Sequence, residues 1–269
     1  MYIIYNIYMT YTIYILLSII IFLIYILHSN NINHKELYTS YNDFKYSDKL
    51  TVEDIKQIKK GQKKMSHMIK AFDTICQKNN IRYFLIGGSL IGALAYKGWI
   101  PWDGDIDLEV HEDDYSKLKK LLKTKLPKNM WFQDHSTDTY YPKNNNIIGK
   151  VRDLNSCYIE YTNNGGTQWH NGLQMDINIY KEDDNGKISF PDNTKVDYLT
   201  TNDVYPLKRV PFEDFHVNVM KHSEKYLVNN YSSNWMKDLP VKDRFPHEGK
   251  MDGEKTCSFH YEKYPNLYT

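Results

Sequence analysis

Apolar residues follow three rhythms along this chain. The first is an unbroken run. No charged side chain occurs from Met1 to Leu27, and Ile13–Leu27 is almost wholly aliphatic. A helix crossing the hydrocarbon of a bilayer needs about 20 such residues. Ile7–Leu27 meets that length if Tyr8, Tyr11, Tyr14 and Tyr25 are admitted, and Tyr suits membrane interfaces. A cleaved signal peptide is the competing reading. It is opposed by the lack of Lys or Arg before the run and of a small-x-small site after it. Residues 1–28 are therefore expected to form a single-pass signal-anchor, followed by a polar Asn-, Tyr- and Ser-rich stalk over 29–50. The side of the membrane is weakly marked: the first cation after the run is Lys35, which slightly favours a cytoplasmic C-terminal part.

The second rhythm is helical. Thr51 and Asp54 form a capping-box signature, and Ile55, Ile58, Met65, Met68, Ile69, Phe72 and Ile75 recur at helical spacing. This predicts a helix over 52–78, with Gly61 as a possible interruption and Asn79-Asn80 as its end. A second helix is expected after His111, with Tyr115, Leu118, Leu121 and Leu122 as its stripe, and a third over 221–229. The third rhythm is that of strands. Short apolar or alternating runs fall at 81–86, around Asp105–Val110, at 147–153, at 157–161 and at 173–180. Residues 204–215 contain two prolines and read as extended, and 233–269 is polar and poorly patterned. Strands alternating with helices predict an α/β (α+β) domain over 51–240, a mixed sheet flanked by helices, with 241–269 as a C-terminal extension.

The stretch from Phe84 to Val110, FLIGGSLIGALAYKGWIPWDGDIDLEV, carries the chemistry. An apolar run ends in Gly87-Gly88-Ser89; a small-residue segment and a Pro101-Trp102 turn then lead to Asp103, Asp105 and Asp107. On a strand, Asp105 and Asp107 share one face, with Ile106 and Leu108 on the other. Two carboxylates so placed repel unless a cation joins them. Oxygen ligands suit Mg²⁺ or Mn²⁺ rather than zinc. Glycines allow close backbone approach, and amides at a helix start can hold phosphate. Taken singly, a Gly-Gly-Ser is a common turn and a DxD a common surface loop. In this order and spacing they point to phosphoryl transfer.

At these residues the chain resembles the LicD and fukutin-related family. That family's pattern is approximately GGSLLGA, a basic residue, then GFIPWDDDIDI. Its likeness extends to GLQMDINIY and to VYPLKRVPFEDFHVNVMKHSEKYLVNNYSSNWM, and so covers about Ile81–Trp235. Gly104 departs from the pattern, standing where the family has the middle of three adjacent aspartates. The resemblance implies a nucleotidyltransferase fold. It also implies metal-dependent transfer of a phospho-alcohol, of the phosphocholine or ribitol phosphate type, from a CDP-activated donor to a glycan or glycoconjugate hydroxyl. By it, Gly87, Gly88 and Ser89 contact the donor's phosphates, Asp105 and Asp107 hold Mg²⁺ or Mn²⁺, and Asp176 supplies a third carboxylate for the metal or for the acceptor's proton. Lys97 is a candidate for neutralising phosphate or else a solvated helix-end lysine. Trp102 is a candidate for stacking on the base or else a packed turn aromatic. Lys150 and Arg152 are candidates for clamping a diphosphate or else charges on a surface strand. Transfer of the nucleoside monophosphate itself is the enzymatic alternative, and a catalytically degenerate, membrane-tethered glycan-binding scaffold the non-enzymatic one.

Composition narrows these readings only slightly. The 269 residues carry a formal net charge of +1, which gives no field for nucleic acid, so none is expected as a partner. His135, His170, His216, His247 and His260, five of the ten histidines, are dispersed, without zinc spacing. No GxSxG or Cys/His pattern suggests covalent catalysis. Cys76, Cys157 and Cys257 allow one bridge without naming it. Asn230-Tyr231-Ser232 is a glycosylation sequon.

Overall fold

The computed structural model describes residues 16–20, 44–143, 147–159, 168–190, 198–237, 239–246 and 249–269. Residues 1–45 and 46–269 form separate units. In the first, 16–20 are helical; the remainder of the expected anchor lies outside the described residues. No helix among the described residues is long and apolar enough to cross a membrane.

The second unit opens with helix α1, Val52–Asn79, and its start is the predicted capping box. The Asp54 amide donates to Thr51 Oγ1 at 3.1 Å, and the Thr51 amide donates to Asp54 Oδ2 at 3.0 Å. Asn80 ends the helix in the left-handed conformation, with φ 53°. Gly61 does not interrupt it; Met251 from the C-terminal segment packs against that position.

The central sheet is mixed. Its order is β1 (Tyr83–Leu85), β2 (Ile106–His111), β6 (Gln174–Glu182), β4 (Gly149–Asp153), β3 (Met130–Gln133), with β7 (Ile188–Ser189) pairing the far end of β6. Only β2 and β6 run parallel. Helix α2 (Gly87–Ile91) and a π-helical turn, Gly92–Tyr96, connect β1 towards β2, and α3 (Glu112–Lys125) follows β2. Register sorts the side chains into two faces. One carries the apolar rows Leu85–Leu108–Ile177 and Ile106–Met175–Val151–Phe132. These merge with Met65, Met68, Ile69 and Phe72 of α1 and Leu118 and Leu122 of α3 into the core. The other face carries Asp107–Asp176–Lys150–Gln133 across four strands, and next to it Gln174–Arg152–Trp131. The even-odd alternation read along each strand thus becomes one continuous polar row.

Residues 201–231 fold as a helical turn α4 (Thr201–Val204), a hairpin of β8 (Lys208–Phe212) and β9 (Phe215–Val219), and helix α5 (Ser223–Tyr231). The extended reading of 204–215 holds only for β8, and its partner β9 adds a strand that the pattern does not announce. The poorly patterned C-terminus is also structured. Strand β10 (Lys250–Asp252) pairs with β5 (Cys157–Ile159), and a Cys157–Cys257 disulfide ties β5 to the start of helix α6 (Ser258–Lys263). From α6, His260 is 3 % exposed, packs on Trp131 and donates from Nε2 to the Trp169 carbonyl at 3.1 Å.

Burial, reinforced by the Arg152 charge, lowers the His260 pKa to about 3. The ordinary value is about 6.5, so between these limits the unfolded chain binds a proton that the folded chain refuses. Stability is therefore expected to rise with pH through that window and to be lost as pH falls below about 6.5, by up to about 1.4 kcal/mol per unit. Denaturant midpoints measured from pH 7 to pH 5 check this, and His260→Gln is expected to flatten the slope.

Candidate functional site

Asp103, Asp105 and Asp107 are half-buried and alternate with buried Gly104, Ile106 and Leu108. Only Asp107 lies within β2; Asp105 precedes its first residue. All three carboxylates line one cavity of about 340 Å³ together with Gly88, Trp102, Tyr231, Trp235 and Lys237. Their placement is enforced from α1 and α2. Buried Gln62 donates to the carbonyls of Ile100 and Asp103, each at 3.0 Å, and Trp99 Nε1 donates to Ser66 Oγ at 2.8 Å. The loop before the aspartates is thereby pinned to the long helix. Ser89 acts on the strand itself: its Oγ accepts the Asp107 amide at 2.9 Å.

The glycines behave differently from one another. Gly87 adopts φ +57°, a conformation that favours glycine. Gly88 lines the cavity, and a Cβ there would lie 2.7 Å from Asp103 Oδ2. Gly104 has a local cause. A Cβ at that position would lie 2.7 Å from the Tyr158 hydroxyl and 2.9 Å from its Cζ, and Tyr158 is fully buried. The ring occupies the space that an aspartate would need. Gly104→Asp is expected to cost about 1–3 kcal/mol through overpacking. Tyr158→Phe in the same chain should recover part of that loss, read from urea midpoints.

The remaining sequence-nominated residues divide. Asp176 lies beside Asp107 in register, as a third carboxylate should, but it is 3 % exposed and bonded by Lys150 Nζ at 2.6 and 2.8 Å. Lys150 also donates to Gln174 Oε1 at 2.9 Å. Arg152 is 1 % exposed and donates to Gln133, Gln174 and the carbonyls of Gly172 and Trp169. Both cations are thus buried within the sheet's polar row rather than displayed on a surface strand. Lys97 takes a left-handed conformation, with φ 54°, and its carbonyl accepts the Glu213 amide of the β8–β9 turn at 2.7 Å; it does not line the cavity. Trp102 is 5 % exposed, with the Arg244 guanidinium 5.5 Å from its ring. Half-buried Trp235 offers more open aromatic surface, and Lys237 is the cation at the cavity wall.

Tyr231, the last residue of α5, and Trp235 fall inside the segment that resembles the family, but no motif assigned them a role; Lys237 lies just beyond it. Tyr231 lines the same cavity as the three aspartates. Burial, with Asp107, Asp103 and Asp105 nearby, pushes its pKa up to about 12, so the phenol stays protonated and able to donate. Among the described residues no three carboxylate, imidazole or thiolate groups already converge on one point. The donor set still fits Mg²⁺ or Mn²⁺. These ions take hard oxygens, and Mg²⁺ commonly uses one or two carboxylates plus substrate phosphates rather than a complete protein cage.

A model of the LicD/FKTN/FKRP nucleotidyltransferase domain matches residues 80–222. The chain is 30% identical over 118 residues to lipopolysaccharide cholinephosphotransferase LicD of Haemophilus influenzae, covering 42% of this chain and 40% of that protein. It is 38% identical over 47 residues to human ribitol 5-phosphate transferase FKRP, covering 18% of this chain and 10% of the relative. An uncharacterized protein of Rickettsia prowazekii is 35% identical over 72 residues, 24% of this chain and 27% of its own. Each match spans well under two thirds of the relative's length.

Proposed function

The chain belongs to the LicD/FKTN/FKRP nucleotidyltransferase-domain family, and on that premise we propose that it transfers a phospho-alcohol from a CDP-activated donor to a hydroxyl of a glycan or glycoconjugate. The observation that carries this reading is the opening of Asp103, Asp105 and Asp107 onto one cavity that Tyr231, Trp235 and Lys237 also line. The relatives' names supply the group: choline phosphate for one, ribitol 5-phosphate for another.

Asp105 and Asp107 would hold Mg²⁺ or Mn²⁺, which when bound neutralises the donor's diphosphate. Trp235 stacks on the base, while Lys237 and the Tyr231 phenol contact phosphate oxygens. The acceptor oxygen attacks the phosphorus that bears the alcohol, the bond to the second phosphate breaks, and CMP leaves. Asp103 is the carboxylate left facing the cavity to take the acceptor's proton. Asp176 keeps a supporting place beside Asp107, its charge balanced by Lys150. The uncharged run over 1–28 would hold the unit beside a membrane.

Product analysis tests the reading. Incubation with CDP-choline and CDP-ribitol in Mn²⁺ should release CMP, and chelation should stop it. Pyrophosphate release from CTP would instead mark nucleotidyl transfer, and no turnover of any cytidine donor would favour a binding scaffold.

A further inference from the structure

The carboxylate cavity has an exposed apolar rim. Tyr231, Trp235, Met236 and Leu239 all line it. Met236 is 63% exposed, Tyr231 46% and Leu239 39%. Val228, three residues before Tyr231 on α5, is 38% exposed. Val228, Tyr231, Met236 and Leu239 are half of the exposed large apolar side chains among the described residues from 46 to 269, and they fall within twelve residues of sequence. Single exposed apolar residues are ordinary, but a group of them around one opening marks a contact surface. Backbone bonds fix the chain where these side chains face water. Ser232 leaves α5 with φ 80°, and its amide donates to the Val228 carbonyl at 2.9 Å. The Trp235 amide donates to the Ser232 carbonyl at 3.2 Å and the Lys237 amide to the Asn234 carbonyl at 2.8 Å. Arg244 Nε donates to the Leu239 carbonyl at 2.7 Å, with its guanidinium 5.5 Å from the Trp102 ring.

The chemistry of the rim names its cover. Tyr and Trp combine an apolar body with a polar edge, Met and Leu are wholly apolar, and Lys237 and Lys242 beside them are exposed. That combination suits the boundary between water and lipid, where apolar tips enter, aromatic rings sit at headgroup level and lysines meet lipid phosphates. Connectivity brings such a boundary within reach. The uncharged run ends at Leu27, and the folded unit begins at Tyr46. The eighteen residues between them extend at most about 65 Å. A chain of the unit's length has a radius of gyration of about 17 Å. A bilayer that holds the run therefore lies within reach of any face of the unit.

We propose that this rim seats on the lipid surface that holds the N-terminal run, with Met236 and Leu239 entering the acyl boundary and Lys242 against lipid phosphates; this rests on the membrane reading of residues 1–28. Tyr231 and Trp235 then stand at headgroup depth, still lining the cavity. Apolar burial carries the contact, so it needs no anionic lipid, and Lys242 adds to it where phosphatidylserine is present. The cavity opens at headgroup level, and a hydroxyl on a membrane-bound glycan reaches it without leaving the surface.

The test is spin labelling of the full chain, reconstituted in phosphatidylcholine vesicles. Cys76 is buried and Cys157 is bridged to Cys257, so an introduced cysteine takes the label selectively. Labels at Met236→Cys and Leu239→Cys should gain collisions with oxygen and lose collisions with an aqueous nickel chelate, relative to the exposed Ser116→Cys on α3. Labels as wet at 236 and 239 as at 116, in a chain that floats with the vesicles, overturn the rim and leave the anchor standing. A chain that does not float overturns both. Labels shielded from both reagents and broadened by a second label overturn the lipid assignment in favour of a second copy of this chain. A label-free check uses Trp235, the most exposed of the five tryptophans. Brominated phosphatidylcholine should quench the tryptophan fluorescence of the unsubstituted chain and quench that of Met236→Glu/Leu239→Glu less, with the thermal midpoint unchanged. Undiminished quenching in the double variant overturns the proposal.

Discussion

Asp107→Asn is expected to lower CMP release from a CDP-alcohol by about a thousandfold or more while leaving the protein at least as stable. The first half follows from what a metal-held diphosphate contributes, which is several kcal/mol of charge stabilisation, and about 4 kcal/mol corresponds to that factor in rate. The second half follows from crowding. Asp107 shares its cavity with Asp103 and Asp105, and Asn keeps its shape while removing one repulsive charge. The Ser89 bond is to the backbone of Asp107 and survives the substitution. Asp105→Asn should behave in the same way. The paired measurements are the initial rate of CMP release and a Mn²⁺ titration followed by electron paramagnetic resonance. An Asn variant with unimpaired Mn²⁺ affinity and rate would remove these two aspartates from the mechanism.

Asp176→Asn should give a different signature, and this separates the two kinds of carboxylate. Its partner Lys150 is fully buried, so the substitution strands an ammonium in the sheet. Breaking a buried pair costs about 3–5 kcal/mol. A variant that loses activity and stability together marks a positioning role. Loss of activity alone marks contact with the reacting groups.

These differences show what the chain could reveal before its fold was known. The central motif was legible because it is local. Gly87 to Asp107 follows directly on β1 and spans one short helix, a π-helical turn and one strand start. The capping box at Thr51 was legible for the same reason. Asp176 was legible as a strand aspartate, but its neighbours were not. Its pairing with both Asp107 and Lys150 comes from the order β2–β6–β4, which joins residues far apart in sequence. Lys150 and Arg152 could be read as a diphosphate clamp or as charges on a surface strand, because alternation gives a face but not what covers it. Here buried acceptors, Asp176, Gln174 and Gln133 among them, occupy that face. Gln62 was invisible as a polar helix position whose acceptors are carbonyls of a distant loop. The C-terminal elements were illegible because β10 has three residues and α6 has six, too few to show a period. Pairing with β5, aromatic packing on Trp131 and one disulfide stabilise them instead.

That disulfide should dominate the stability of the folded unit. Cys157 and Cys257 close a loop of 100 residues. Constraining a loop of that length in the unfolded chain is worth about 4–5 kcal/mol in the chain-entropy model. Cys157→Ser, Cys257→Ser or treatment with dithiothreitol should therefore lower the urea midpoint strongly, and all three to the same value. Cys76 cannot rescue the bridge by exchange: it is buried, and burial raises its thiol pKa well above the ordinary value. The effect should reach the site as well. Cys157 precedes Tyr158, whose ring fills the space against Gly104 between Asp103 and Asp105. Loosening β5 loosens that backing, so CMP release should fall even at urea concentrations where the reduced protein remains folded. Equal midpoints with and without reductant would reduce the bridge to an ornament of the C-terminus. Disulfides form and persist chiefly in oxidising environments. Chain made in a reducing cytosol should accordingly show the lower midpoint until it is oxidised, and then recover the higher one.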